Sequence, residues 1–280
     1  MTHLSLSDAL ARLARQAGVL VRVETTEGSV PREAGAWMLV WPDAVAGTIG
    51  GGQLEFQAIA QARGFLAEVS TPGREMVHRY PLGPSLGQCC GGVVHLRFER
   101  VGAAEATLLA DRLAPARVPM ALFGGGHVGR ALVQVLAPLP FAITWIDSRD
   151  EVFPNAVAAN VRCEHSDPVQ AAVADLAPGS RVLVMSFSHA EDLDIVAACL
   201  RRHRERGDLP FIGLIGSQTK WATFRHRLAQ RGYTDSELAH ITCPIGMPGI
   251  TGKQPEVIAV AVAAQLLLMS GDAVAASVAP

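Results

Sequence analysis

A chain of 280 residues is longer than one hydrophobic core usually organises, and an apolar fraction of 49% is enough to fill two. Its 24 Lys and Arg against 26 Asp and Glu give a formal net charge of −2, with the basic residues scattered, so the electrostatic footprint of a nucleic-acid binder is absent. The five cysteines, an odd number in a chain too long to need staples, do not read as an extracellular disulfide framework and point to a reducing cytoplasm.

The first segment, MTHLSLSDALARLARQ, lacks the apolar core of a targeting peptide. It spaces Leu6, Leu10, Leu13 and Ala17 along one helical face, with Ser7 as the expected N-cap. A strand near VLVRVET, a loop EGSVPREAG, a strand AWMLVW and the glycine turn AGTIGGG follow. QLEFQAIAQARGFLAEV then repeats Leu54, Ala58, Ala62, Phe65 and Val69 at helical spacing, and strands EMVHRY and VVHLRFE bracket a loop containing Cys89 and Cys90. These elements predict a small α+β domain over residues 1–100. Residues 101–117, rich in alanine and ended by prolines, read as a linker that starts as a short helix.

From residue 118 to 280 the pattern becomes strand, glycine turn, helix, repeated: MALFGGGHVG, AITWID, NVRCEH, RVLVMSFS and FIGLIG are short apolar strands between helical stretches. That alternation predicts a Rossmann-like α/β domain with a doubly wound parallel sheet. The C-terminal run VIAVAVAAQLLLM is shorter than the roughly 20 residues a membrane span needs and contains Gln265, so it reads as a buried helix.

Several constellations could carry chemistry. Gly124, Gly126 and Gly129 have GxGxxG spacing between a predicted strand and helix, and Asp147 ends the next strand where an acid would meet a ribose hydroxyl. This pattern suits NAD(P), or glycines that only make the turn. Ser217 opens a further helix with Lys220 one turn in, either placed to approach an anion or serving as a cap and a solvated basic face. The loop CPIGMPGITGK carries Cys243 and Lys253. SFSHAEDLD offers His189 with Glu191, Asp192 and Asp194, as an acid–base set or as a helix with an acidic first turn. No zinc-type Cys/His spacing is present. In the first domain, EGSVPREAG supplies Arg32, while Gly50, Gly51, Gly52 and Gln53 open a helix with amides free to form an anion nest. Gly91 and Gly92 follow Cys90 and leave room for a partner to approach its thiol.

Taken together, GSVPREAGAWMLV, GTIGGGQLE, LGQCCGG, LFGGGHVG, IGLIGSQTKWATFRHRL and CPIGMPGITGKQPEVIAVAVAAQLL resemble the xanthine dehydrogenase accessory protein family, XdhC and CoxI. The resemblance spans nearly the whole chain. It implies a protein that binds molybdenum cofactor, protects it, supports its sulfuration with a cysteine desulfurase and delivers it to xanthine dehydrogenase or a related molybdenum hydroxylase, without itself turning over a substrate. It also implies a homodimer. The family's Cys-Gly-Gly motif falls on Cys90, which makes Cys90 the candidate molybdenum-facing ligand and ranks Cys89 behind it. Glu33 stands where relatives can carry a second basic residue, so only Arg32 is carried over as an anion contact. The competing readings are an NAD(P)-dependent oxidoreductase and a nucleotide-sensing module.

Overall fold

The structure, a computed structural model, describes residues 2–68, 75–83, 91–114 and 116–277; of 270–277 the backbone alone is described. Two compact units, Met1–Pro115 and Ala116–Pro280, divide the chain.

In the first unit the elements are β1 (Thr2–Leu4), α1 (Leu6–Leu13), β2 (Gly18–Glu27), β3 (Trp37–Val40), β4 (Ala44–Gly47), α2 (Gly52–Ala67), β5 (Glu75–Pro81), β6 (Val93–Val101) and α3 (Ala106–Leu113). They build a six-stranded sheet in the order β1-β4-β3-β2-β6-β5, antiparallel except for the β1–β4 edge pair. Period-two alternation sends Val19, Val21 and Val23 of β2 to one face, against Leu54, Ala58, Ala62 and Phe65 of α2. Leu20, Leu39 and Trp41 face the other way, against Ala9 and Leu13 of α1 and Leu109 and Leu113 of α3.

The structure moves one expectation here. Ser5, not Ser7, caps α1: its Oγ accepts from the Asp8 amide at 3.2 Å, and the helix ends at Leu13, leaving Ala17 outside it and exposed. The short helix expected within residues 101–117 is α3; β6 runs to Val101, α3 buries Leu109 and Leu113 in this unit's core, and the division between the units falls at Pro115. An eight-residue helix is too short to stand alone in water, so its apolar stripe must have a wall to pack on.

In the second unit the elements are β7 (Val118–Phe123), α4 (His127–Leu136), β8 (Phe141–Asp147), β9 (Val161–His165), β10 (Arg181–Val184), α5 (His189–Arg206), β11 (Phe211–Leu214), α6 (Gln218–Gln230), α7 (Asp235–Leu238), β12 (Ile241–Thr242) and α8 (Pro255–Ser277). Its strands are all parallel and ordered β12-β11-β10-β7-β8-β9. Counted from β7 and read from the other edge, this is the Rossmann order 3-2-1-4-5-6. One face packs on α5 and α6 through Ile195, Val196, Leu200 and Phe224, and the other on α4 and α8 through Leu132, Leu136, Val262 and Leu266. The C-terminal apolar run is helical as expected and half-sunk: Ala259, Val262 and Leu266 are buried, while Val260 and Leu268 are exposed. No helix among the described residues is long and apolar enough to cross a membrane.

Candidate functional site

Three glycine-bearing segments of the first unit meet at one end of its sheet. β2 ends at Glu27 opposite Val93, the first residue of β6, so the loop after β2 and the segment before β6 emerge side by side. Gly92 sits so close to that loop that a Cβ on it would lie 2.5 Å from both the Glu27 and Ser29 carbonyl oxygens. The Gly92 carbonyl accepts from the Leu82 amide at 2.8 Å, which closes the cysteine loop at its base. A Cβ on Gly50 would touch Pro31 at 2.7 Å and the Arg32 Cγ at 3.4 Å, so the turn before α2 abuts the same loop. Gly91 is exposed, and a Cβ on it would meet none of the described residues within 4 Å. Cys89 and Cys90 themselves lie outside the described residues.

The amides of the turn before α2 are partly engaged by the chain's own carboxylate. Glu55 Oε2 accepts from the Ile49 amide at 3.2 Å, the Gly51 amide at 3.1 Å and the Thr48 hydroxyl at 2.6 Å. The Gly50 amide donates to Thr48 Oγ1 at 3.2 Å. Gly52 and Gln53, both exposed in the first turn of α2, carry the amides that the helix itself cannot pair. Arg32 makes no hydrogen bond among the described residues; a neighbour, Glu33, stands 3.6 Å from its guanidinium.

In the second unit the glycine turn follows β7 as the spacing predicts. Gly124 has φ of 125°, and a Cβ there would run into the Met185 carbonyl oxygen; a Cβ on Gly129 would run into the Gly124 carbonyl oxygen. Gly126 is the N-cap of α4 and faces open space. Asp147 does end β8, but its carboxylate is turned into the glycine turn. Oδ2 accepts from the Gly125 amide at 2.6 Å and Arg149 Nη2 at 3.0 Å, and Oδ1 from the Arg149 amide and Nε, both at 2.9 Å. Those four bonds fill the acceptor sites of a carboxylate, so a ribose diol could reach it only by displacing Arg149. Val152, in the turn after β8, packs over Gly125.

Burial pushes the Asp147 carboxyl up, but the hydrogen bonds from Arg149 and Gly125 outweigh it and hold the group below its ordinary 3.8. A carboxyl lowered on folding stabilises in full above its unfolded pKa and loses that contribution as pH falls through the folded one. Asp147→Asn should therefore be less stable than the wild type at neutral pH, and the gap should narrow below about pH 4. Thermal unfolding of both proteins across that range is the check, and a gap independent of pH would refute the assignment.

Ser217 caps α6 as predicted, its Oγ accepting from the Lys220 amide at 3.2 Å. The anion that Lys220 meets is the chain's own: Nζ donates to Asp192 Oδ2 at 2.6 Å and to the Ile215 carbonyl at 2.8 Å. Asp192 Oδ1 accepts from the Ser186 amide and hydroxyl at 2.7 and 2.8 Å. The rest of SFSHAEDLD is also engaged. Glu191 accepts from the Ser148 hydroxyl, Asp194 pairs with Arg231, and the exposed His189 rests its ring edge-on to Phe224. Cys243 lies near this pair, and burial pushes its thiol up, away from thiolate character. Among the described residues no group of three or more His, Cys, Asp and Glu is placed to hold a metal ion.

Sequence reasoning missed Glu55, Arg149 and Arg112. Glu55 follows the glycine triplet by one helical turn, a spacing that signals a carboxylate reaching back to amides. Arg112 had no signal, since nothing local says that α3 folds onto the sheet.

These features define a two-unit protein in which a Rossmann domain follows an α+β unit whose three glycine loops share one end. The sequence pattern of the XdhC Rossmann domain matches residues 120–266, and that of the XdhC and CoxI family matches residues 11–81. The chain belongs to the XdhC family. An uncharacterized protein of Escherichia coli K12, YqeB, is 26% identical over 267 residues, which are 91% of this chain and 44% of that protein; the chain spans less than half of that relative. A solved structure described as a xanthine dehydrogenase from Bacillus halodurans aligns over 96% of both chains at 20% identity with a TM-score of 0.78, a likeness of fold.

Proposed function

We propose that this protein is a maturation factor for xanthine dehydrogenase or a related molybdenum hydroxylase, that it binds molybdenum cofactor, and that it is not itself an enzyme. The observation that carries the reading is the meeting of the three glycine loops, with Arg32 among them and Gly91 and Gly92 entering the same end. The residues suit the group. Its terminal phosphate calls for a guanidinium and unpaired amides, here Arg32, Gly52 and Gln53, and its soft metal-dithiolene end suits a thiol, for which Cys90 is the candidate and Cys89 the second. When bound, the cofactor supplies the molybdenum centre that the client enzyme uses. The chain's own residues hold the anion and present the metal end. Support for a carrier over an oxidoreductase comes from the second unit, where Asp147, Asp192, Glu191 and Lys220 are each engaged within the chain. A cysteine desulfurase as sulfur source, a cytoplasmic setting and a homodimer belong to the same proposal.

The test is to make the client hydroxylase in cells with and without this protein and measure its cyanide-labile sulfur and turnover. Both should rise when the protein is present, and equal values would sink the proposal. In the same cells, Cys90→Ala should lower pterin and molybdenum per folded chain by more than about tenfold, equivalent to ~1.4 kcal/mol. Cys89→Ala should do less. Assaying NAD(P) in the purified sample separates the oxidoreductase reading.

A further inference from the structure

We propose that Arg32 and Arg112 form a phosphate-binding pocket in the first unit, with Trp37 as its aromatic wall, and that it takes a phosphate monoester carried on a planar ring. Its assignment to the cofactor's terminal phosphate rests on the function proposed above; the anion site itself does not.

A pocket of about 400 Å³ is lined by Arg32, Trp37, Gly47, Thr48 and Arg112 among others, a volume within the usual range for small-ligand sites. The two arginines that line it differ from those that a carboxylate holds. Arg97 is held by Glu24 and Glu75, Arg149 by Asp147, Arg202 by Asp208 and Arg204 by Glu237, all through hydrogen bonds. Arg32 and Arg112 make no hydrogen bond among the described residues. Each has a carboxylate nearby, Glu33 at 3.6 Å and Glu99 at 3.9 Å, too long for a hydrogen bond. Glu33 also lines the pocket, but its side chain is 78% exposed, and such a loose surface pair contributes little that an incoming anion must overcome. Two arginines with unused guanidinium donors lining one pocket, Arg112 also bordering the neighbouring hollow of Glu75, Glu99 and Glu105, match the three acceptor oxygens of a phosphate monoester.

The remaining wall suits a flat group. The Trp37 indole lies against Gly47, where a Cβ would come within 2.7 Å of the ring, and it is half-buried with its surface on the pocket. Indole stacks on planar aromatic and pterin-like rings. The same Arg32 whose Cγ packs beside Gly50 reaches this pocket, so the site is continuous with the three-loop end.

The test titrates inorganic phosphate into the full chain by calorimetry, for the wild type, Arg112→Gln and Arg112→Lys. Circular dichroism checks that each is folded, as expected for a half-exposed side chain on a helix surface. The wild type should bind saturably, more weakly as salt rises. Arg112→Gln should bind more than about tenfold more weakly, and Arg112→Lys should fall between them, because a point charge replaces a fork. No saturable binding by the wild type, or equal affinity in folded Arg112→Gln, overturns the pocket. Pterin content of wild type and Arg112→Gln purified from cofactor-making cells is the second arm. If the wild type holds pterin and the variant holds as much, the phosphate assignment falls while the carrier function stands. If the wild type holds none yet phosphate binding depends on Arg112, the carrier function falls and the anion site stands.

Discussion

Gly92→Ala should destabilise the first unit by ~3 kcal/mol or more, whereas Gly91→Ala should stay within about 0.5 kcal/mol of the wild type. The two glycines are neighbours in the same motif, and their surroundings differ completely. A methyl on Gly92 would stand 2.5 Å from two carbonyl oxygens, of Glu27 and Ser29, and 2.9 Å from Val30 Cγ1. Both oxygens belong to backbone, one at the last residue of a long paired strand and the other two residues past it, which cannot step aside as freely as a flexible side chain could. On Gly91 the methyl would meet none of the described residues within 4 Å. Urea unfolding of both variants decides it, and equal midpoints would show that the contact between the loops is not tight. The result also bears on function, because Gly92 joins the cysteine loop to the Arg32 loop. A variant that folds with those loops parted should lose pterin per folded chain even with both thiols present.

The second large effect is expected at Lys220. Lys220→Met removes the partner of a carboxylate that is 2% exposed, and uncompensated buried charges of this kind cost ~3–5 kcal/mol. Asp192 still accepts from Ser186 through Oδ1, so the loss falls on Oδ2 alone. The double variant Lys220→Met with Asp192→Asn should recover more than about 1 kcal/mol relative to the sum of the single changes, since the charge is removed together with its partner. Additive effects in that cycle would contradict a coupled pair. If Lys220 instead served an external anion, Lys220→Met would leave stability near wild type and lower ligand content only.

Much of the architecture is written locally. Of the helical spacing of Leu54, Ala58, Ala62, Phe65 and Val69, the first four became the buried face of α2 and Val69 lies outside the described residues; Ser217 did cap α6. Gly124, Gly126 and Gly129 did make the turn between β7 and α4. Each of these depends on residues within a few positions of one another, where periodicity and capping chemistry act. The edge strands β1 and β12, three and two residues long, carry too little pattern to be read alone and exist because a neighbouring strand offers them a ladder. The short helix expected within residues 101–117 is α3, which is stabilised by the sheet it lies on, and the division between the units falls at Pro115, inside that stretch.

By itself, then, the sequence determined two folding units and the parallel nature of the second sheet, because short-range hydrophobic period and glycine spacing encode them, while its ordered set of motifs carried the resemblance to the family. It placed Asp147, Lys220 and Arg32 near turns without saying what they touch. Only the tertiary structure decided that Asp147 binds Gly125 and Arg149, that Lys220 binds Asp192, and that Arg32 shares a pocket with Arg112. Partners such as Lys220 and Asp192, or Arg32 and Arg112, lie tens of residues apart in the chain. The free energy of a charged side chain is set by the groups that folding brings within a few ångströms of it, and spacing along the chain carries no record of them.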